Sequence, residues 1–167
     1  MGFIHRLESF MGMTDAIWLR HANPWSVWTR FTLLPLFSLA IWSRDWIGGW
    51  AWLVVGLVLI WNWLNPRLFQ VPQHLDNWAS RGVLGEQIYL KRTDEVAQHH
   101  LICLRVLMVI TIPGMGLMAW GVWQFDLMAT VTGVALTMIM KTWFVDRMVW
   151  IYLDFLAADP ARKHGDV

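Results

Sequence analysis

Residues 101–123 read LICLRVLMVITIPGMGLMAWGVW, and Arg105 is the only charged residue in this stretch. An α-helix rises 1.5 Å per residue, so a helix of this length would be about 35 Å long. The hydrocarbon core of a bilayer is about 30 Å thick. This stretch therefore predicts a membrane-spanning helix, and similar apolar runs occur before and after it.

Four apolar runs of this kind predict four transmembrane helices. The links Ser43-Arg44-Asp45 and Gln124-Phe125-Asp126 are short, so neighbouring spans should form two helical hairpins. The small-residue spacing from Ala129 to Gly133 predicts close approach between helices of the chain. We predict an all-α membrane protein with one integral membrane domain over residues 1–167. The predicted spans are about 25–42, 46–64, 101–123 and 127–145, with the fourth helix extending to about 155.

Two further segments are predicted to lie at the membrane surface. Apolar residues recur at nearly helical spacing from Phe3 to Trp18, which indicates an N-terminal amphipathic helix that ends at His21-Ala-Asn-Pro24. Asn65-Pro66 is expected to end the second span. The polar segment 65–100 that follows predicts a cytoplasmic interfacial segment with one short helix over about 75–90.

The composition agrees with a membrane protein. The chain is 57% hydrophobic and 15% charged, whereas soluble domains average about 45–50% and about 25%. It contains 14 Trp residues, a residue type enriched at membrane–water interfaces. The net charge of +1 gives no field that would attract nucleic acid. Membrane lipids are the expected partners, and the sequence is also compatible with a homo-oligomer or a larger membrane complex.

The positions of the basic residues predict the orientation. In the four-span arrangement, only Arg44 of the 13 Lys and Arg residues lies on the far side. Cytoplasmic loops carry an excess of Lys and Arg. Both termini and the long loop are therefore expected in the cytoplasm.

Counting inward from the two short links places polar residues of all four spans at one depth near the cytoplasmic side. Arg30 and Lys141 lie several residues inside the hydrocarbon limit, where charge is expensive. We interpret this layer as a site for an anionic lipid headgroup or small solute, with Asp146 as the counter-charge. The alternative is that each side chain extends to lipid headgroups on its own. The candidate residues are Arg30, Asn62, Asn65, Arg67, Lys141, Asp146, Arg147 and Asp154.

Histidines in the polar segment suggest a second hypothesis. Glu95 and His99 are one helical turn apart, and His100 follows directly. Imidazole and carboxylate groups suit zinc or iron, and the candidate metal ligands are His99, His100, Glu95, His74 and Asp76. The chain would then be a membrane-embedded enzyme acting on a lipid-like substrate. Two different hypotheses stay open: these histidines only form interfacial hydrogen bonds, or the chain is an accessory subunit of a larger complex.

Four sequence blocks carry a family resemblance: HANPWSVWTRF (21–31), WLNPRLF (63–69), DNWASRGVLGE (76–86) and KTWFVDRMVW (141–150). Together they resemble a prokaryotic family of small multi-span integral membrane proteins of unknown function. The resemblance covers about 21–154, leaves residues 1–20 outside, and implies a location in the prokaryotic plasma membrane. It supplies no activity, cofactor or ligand, but its blocks coincide with the polar layer.

Overall fold

The computed structural model describes residues 15–159, and in this range the chain forms α-helices and no β-strand. The predicted all-helical class is therefore confirmed for the described residues. Short 3-10 turns occupy Gly48–Trp50 and Thr93–Glu95. The helices are α1 (Asp15–His21), α2 (Pro24–Phe31), α3 (Leu33–Trp42), α4 (Arg44–Ile47), α5 (Ala51–Leu68), α6 (Trp78–Lys91), α7 (Gln98–Gln124) and α8 (Leu127–Ala157).

Helix α8 packs against α6 and α7 at backbone contact distance. A Cβ atom added to Gly85 of α6 would lie 1.8 Å from the carbonyl oxygen of Met148. One added to Gly133 of α8 would lie 2.3 Å from the backbone nitrogen of Met118 in α7. The close approach predicted from the spacing that includes Gly133 is confirmed, since glycine is the residue that permits it.

The first apolar segment, Pro24–Leu68, folds back on itself. The chain reverses near Gly48, which has a φ of +56° that glycine adopts without strain. Ser26 Oγ donates a hydrogen bond to Asn65 Oδ1 at 2.8 Å, and Asn65 Nδ2 donates to Thr29 Oγ1 at 2.8 Å. The beginning and the end of this segment therefore lie side by side.

Several helix ends differ from those predicted. Helix α5 begins at Ala51 rather than at 46, because the reversal takes in α4 and the Gly48–Trp50 turn. The prediction that Asn65-Pro66 ends this helix is wrong, since α5 continues to Leu68. Pro66 lies in the last turn, where its missing N–H removes one intrahelical hydrogen bond without stopping the helix. The interfacial helix begins at Trp78 rather than at 75, because Asn77 caps it through the Ser80 N–H.

Within 15–159, three stretches of helix are long and apolar enough to cross a membrane: Pro24–Leu68, Gln98–Gln124 and Leu127–Ala157. The first covers α2 to α5, where two separate spans were predicted. Only 11–17% of the most apolar window of each stretch is buried, so large hydrophobic side chains face outward along these helices. Soluble monomers rarely expose apolar surface on this scale.

Most of the buried core lies beside α6. One hydrophobic cluster joins α6 to the second half of α8 through Leu84, Ile88, Met148 and Tyr152. A second cluster packs α1 and α2 against the start of α6, and it buries Trp18. Of the predicted N-terminal helix, residues 3–14 lie outside the described range, and its last part packs inward through Trp18.

The close approach of α6 to α8 predicts an asymmetry between two Gly→Ala substitutions. Gly85→Ala should destabilise the protein by about 1–3 kcal/mol or more, because its Cβ would meet backbone that cannot move aside. Gly116→Ala in α7 is the matched control, since nothing lies within 4 Å of a Cβ added there. Melting temperatures in detergent would show the difference, and equal melting temperatures for the two variants would contradict the packing.

Candidate functional site

A cavity of about 210 Å³ lies where α1, α2, α6 and α8 meet. Each of these helices contributes one ionisable side chain to it: His21, Arg30, Glu86 and Lys141, in that order. The remaining wall is formed by apolar residues and one glycine: Val27, Phe31, Gly82, Val83, Phe144, Val145 and Met148. Four ionisable side chains therefore face a cavity whose other lining residues are apolar or glycine.

Local structure places Arg30 firmly on α2. Asn23 caps this helix by accepting a hydrogen bond from the Trp25 N–H at 2.9 Å, and Pro24 occupies the first turn. The Asn23 side chain also donates to the carbonyl of Gln70 at 2.9 Å. Together with the contacts of the fully buried Asn65, this fixes α2 against the end of α5, and Arg30 follows near the end of α2.

Glu86 enters the cavity because α6 lies so close to α8. A Cβ added to Gly82 would lie 2.7 Å from a methyl carbon of Val145. Glu86 is one helical turn beyond Gly82 and therefore lies on the same face of α6. The carboxylate is thereby brought to the part of α8 that carries Lys141.

Hydrogen bonds link the two cations. Lys141 Nζ donates to the backbone carbonyl of Arg30 at 3.1 Å and lies 4.7 Å from the centre of the Phe31 ring. The Arg30 guanidinium donates to the His21 ring, with Nη1 at 3.2 Å from Nδ1 and also in contact with Nε2. His21 Nδ1 lies 3.4 Å from Ser26 Oγ. The imidazole must be neutral to accept from Arg30.

The surroundings of Glu86 and His21 shift the pKa values of both side chains. Burial raises the pKa of Glu86 above its ordinary value, and the nearby charges of Arg30 and Lys141 oppose that rise. Burial, followed by the same two cations, holds the pKa of His21 well below its ordinary value. His21 is therefore neutral near pH 7, and Glu86 is the acidic side chain closest in charge effect to the two cations.

Arg30 and Lys141 also line a second cavity, of about 280 Å³, on the side of α3 and α5. Asn62 is the other polar residue of its lining. The remaining lining residues are apolar: Leu33, Leu34, Phe37, Val58, Leu59 and Met118. The two cations therefore lie between a polar cavity and an apolar groove.

The structure brings together three of the eight predicted ligand-binding residues: Arg30, Lys141 and Asn62. The buried Asn65 instead holds α2 against α5, and Arg67 lies 4.1 Å from the ring centre of its neighbour Trp63.

Helix α8 carries the other three predicted residues. Asp146, the predicted counter-charge, accepts a hydrogen bond from Trp78 Nε1 at 3.1 Å in a separate groove. Arg147 is partly buried outside the cavity lining. Asp154 lies beside His100.

Glu86 and His21 were absent from the predicted ligand-binding residues. Both lie within blocks that carried the resemblance, but neither stands in an apolar run, so depth along a span did not identify them. The spacing Gly82-x-x-Gly85-Glu86 was the available signal, because it places Glu86 next to the glycine face of α6.

For the predicted metal site, the structure brings together a different set of candidate ligands from the predicted one. One ligand atom from each of His99, His100 and Asp154 lies within 4.8 Å of the others. Glu95 lines the same cavity of about 330 Å³ as His100 and Asp154 but is outside this group. His74 and Asp76 are exposed in the loop before α6 and are not part of the group either.

A family described as a family of unknown function, DUF6653, matches residues 4–166. The chain belongs to the DUF6653 family. No curated protein and no solved structure matches it. The match to DUF6653 includes residues 4–20, which the sequence resemblance had left outside.

Neutral His21 predicts an acid-sensitive fold for this DUF6653 member. In the unfolded chain His21 binds a proton below about pH 6.5, whereas folded His21 resists protonation. Unfolding then takes up a proton, so the free energy of unfolding should fall as the pH drops below about 6.5, by at most about 1.4 kcal/mol per pH unit.

Two histidine variants test this predicted loss of stability at low pH. Between pH 7 and pH 5 the melting temperature should fall less in His21→Gln than in the wild type. His74→Gln is the matched control and should keep the wild-type slope, since His74 is exposed. A His21→Gln variant that retains the full wild-type slope would contradict the assignment.

Proposed function

We propose that this DUF6653 member crosses the membrane four times, as two helical hairpins, with both termini on the cytoplasmic side of a plasma membrane. The 45-residue segment Pro24–Leu68 would be about 68 Å long as one straight helix. That is more than twice the hydrocarbon thickness of about 30 Å. Because its two ends lie side by side, two crossings suit this segment better than one.

We further propose that the protein binds an amphipathic anion, such as an anionic phospholipid. The position of Arg30 and Lys141, between the polar cavity and the apolar groove, carries this proposal. Glu86 is the one carboxyl group that faces the two cations, so with His21 neutral the cluster keeps a positive charge. A headgroup with negative charge would compensate it through charge-assisted hydrogen bonds.

The groove suits the apolar part of such a ligand. Apart from Arg30, Lys141 and Asn62 its lining is apolar, and it joins the two hairpins along α3, α5, α7 and α8. Asn62 is exposed there and can orient a headgroup through its amide. Binding is favoured over conduction, because the half of the spans away from the cations carries almost only apolar residues and hydroxyls.

Neutralising the two cations tests the proposed binding. The double variant Arg30→Gln/Lys141→Gln should retain at least about tenfold less anionic phospholipid, since a charge-assisted hydrogen bond contributes about 1.5–3 kcal/mol. Retention would be measured by mass spectrometry of lipids extracted from the detergent-purified protein. Arg105→Gln is the control, because Arg105 is exposed on α7 away from both cavities. Equal lipid retention by the double variant and the wild type would reject the proposal.

Removing the Glu86 carboxylate should have the opposite effect on phospholipid retention. Glu86→Gln removes the negative charge beside the cations, so the same phospholipids should be retained more strongly and resist displacement by salt. Asp45→Asn, an exposed carboxylate on α4, should leave retention unchanged. Weaker retention in Glu86→Gln would contradict the assignment of Glu86 as a charge that competes with the ligand.

A further inference from the structure

A second polar cluster joins the beginning of α7 to the end of α8. We propose that His99, His100 and Asp154 bind a divalent transition metal of the zinc class. Their ligand atoms lie within 4.8 Å of one another, and His100 Nε2 is 2.8 Å from Asp154 Oδ2. The rings of His99 and His100 are close as well, with their centres 4.1 Å apart.

These distances suit a single metal ion. Zinc lies about 2.0–2.2 Å from imidazole nitrogen and carboxylate oxygen, which puts two donors of a tetrahedral site about 3.3 Å apart. His100 and Asp154 need to separate by only about half an ångström to reach that spacing. Both His99 and Asp154 are exposed, so their side chains can make the remaining adjustment through rotamer changes.

The donor set selects the class of metal. Two imidazoles and one carboxylate favour zinc, iron, nickel or copper, whereas calcium and magnesium require mostly oxygen ligands. Three protein ligands leave at least one coordination position open, as in catalytic zinc sites. The neighbouring cavity of about 330 Å³, which Glu95 also lines, has room for a water molecule or another ligand at that position.

His100 gives the site a rigid anchor. The residue is 2% exposed, and it lies next to the hydrophobic cluster that includes Leu104 and Ile151. A buried ligand of this kind holds its position without the ion, which lowers the entropy lost when the metal binds. The competing explanation is that His100 and Asp154 form only a structural hydrogen bond between α7 and α8.

Metal binding by the full-length protein decides between them. The detergent-purified chain, carried on an affinity tag without histidines, would be stripped with EDTA and titrated with Co²⁺, and Zn²⁺ would then compete for the site. The proposal expects one Co²⁺ per chain, with the visible d–d bands of a four- or five-coordinate ion. His99→Ala and Asp154→Asn should each weaken binding by about tenfold or more, since even the loss of an outer-shell partner weakens binding by about 10–100-fold.

The two variants change exposed side chains and should leave the fold intact, which the melting temperature would verify. His74→Ala is the matched control and should bind Co²⁺ as the wild type does. The proposal is overturned if the wild type binds no stoichiometric Co²⁺, or if His99→Ala and Asp154→Asn both bind it with wild-type affinity. Arg30→Gln/Lys141→Gln should keep the metal, so this result stands apart from the outcome for lipid binding.

Discussion

The contact of α8 with α6 and α7 at glycine positions is the constraint on which the rest of the structure depends. Side chains normally hold helix axes about 8–10 Å apart. Gly85 of α6 and Gly133 of α8 remove the side chain where the backbones meet. Helix α6, which is too polar to cross a membrane, is thereby fixed against α8. Glu86 is carried to the cavity by this contact, and a larger residue at Gly85 would separate α6 from α8 and open that cavity.

The buried charges require this arrangement. A cation near the bilayer interior costs about 2.5–3.5 kcal/mol at the centre of a span, and less when it reaches polar surroundings. Three polar groups lie close to these cations. Arg30 donates to the neutral ring of His21, Lys141 donates to a backbone carbonyl, and the Glu86 carboxyl group is near enough to both to feel their charge. Because one carboxylate accompanies two cations, the cluster is stabilised but still positive. That remaining charge, next to an apolar groove, is the reason an amphipathic anion is proposed as the ligand.

The sequence predicted the features that depend on the residues of one helix alone, and it missed those that depend on contacts between helices. Lys141 was identified because it interrupts an apolar run, and the helical class followed from such runs. The partner carboxylate could not be predicted in this way. Asp146 is close to Lys141 in the chain, but five residues along a helix rotate a side chain to a different face. Glu86 is distant in sequence, and it reaches the site only because α6 packs on α8.

The two polar regions of α8 are best regarded as separate sites. Lys141 and Asp154 are 13 residues apart, which corresponds to about 20 Å along a helix and to nearly opposite faces. A headgroup held at Lys141 therefore cannot also reach a metal held at Asp154. Asp154 lies near the end of α8, where a helix of 31 residues extends beyond the thickness of the hydrocarbon. Chemistry at the histidine group would consequently act on molecules that arrive from water or from the membrane surface, whereas the lipid proposed for Arg30 and Lys141 would enter from the bilayer.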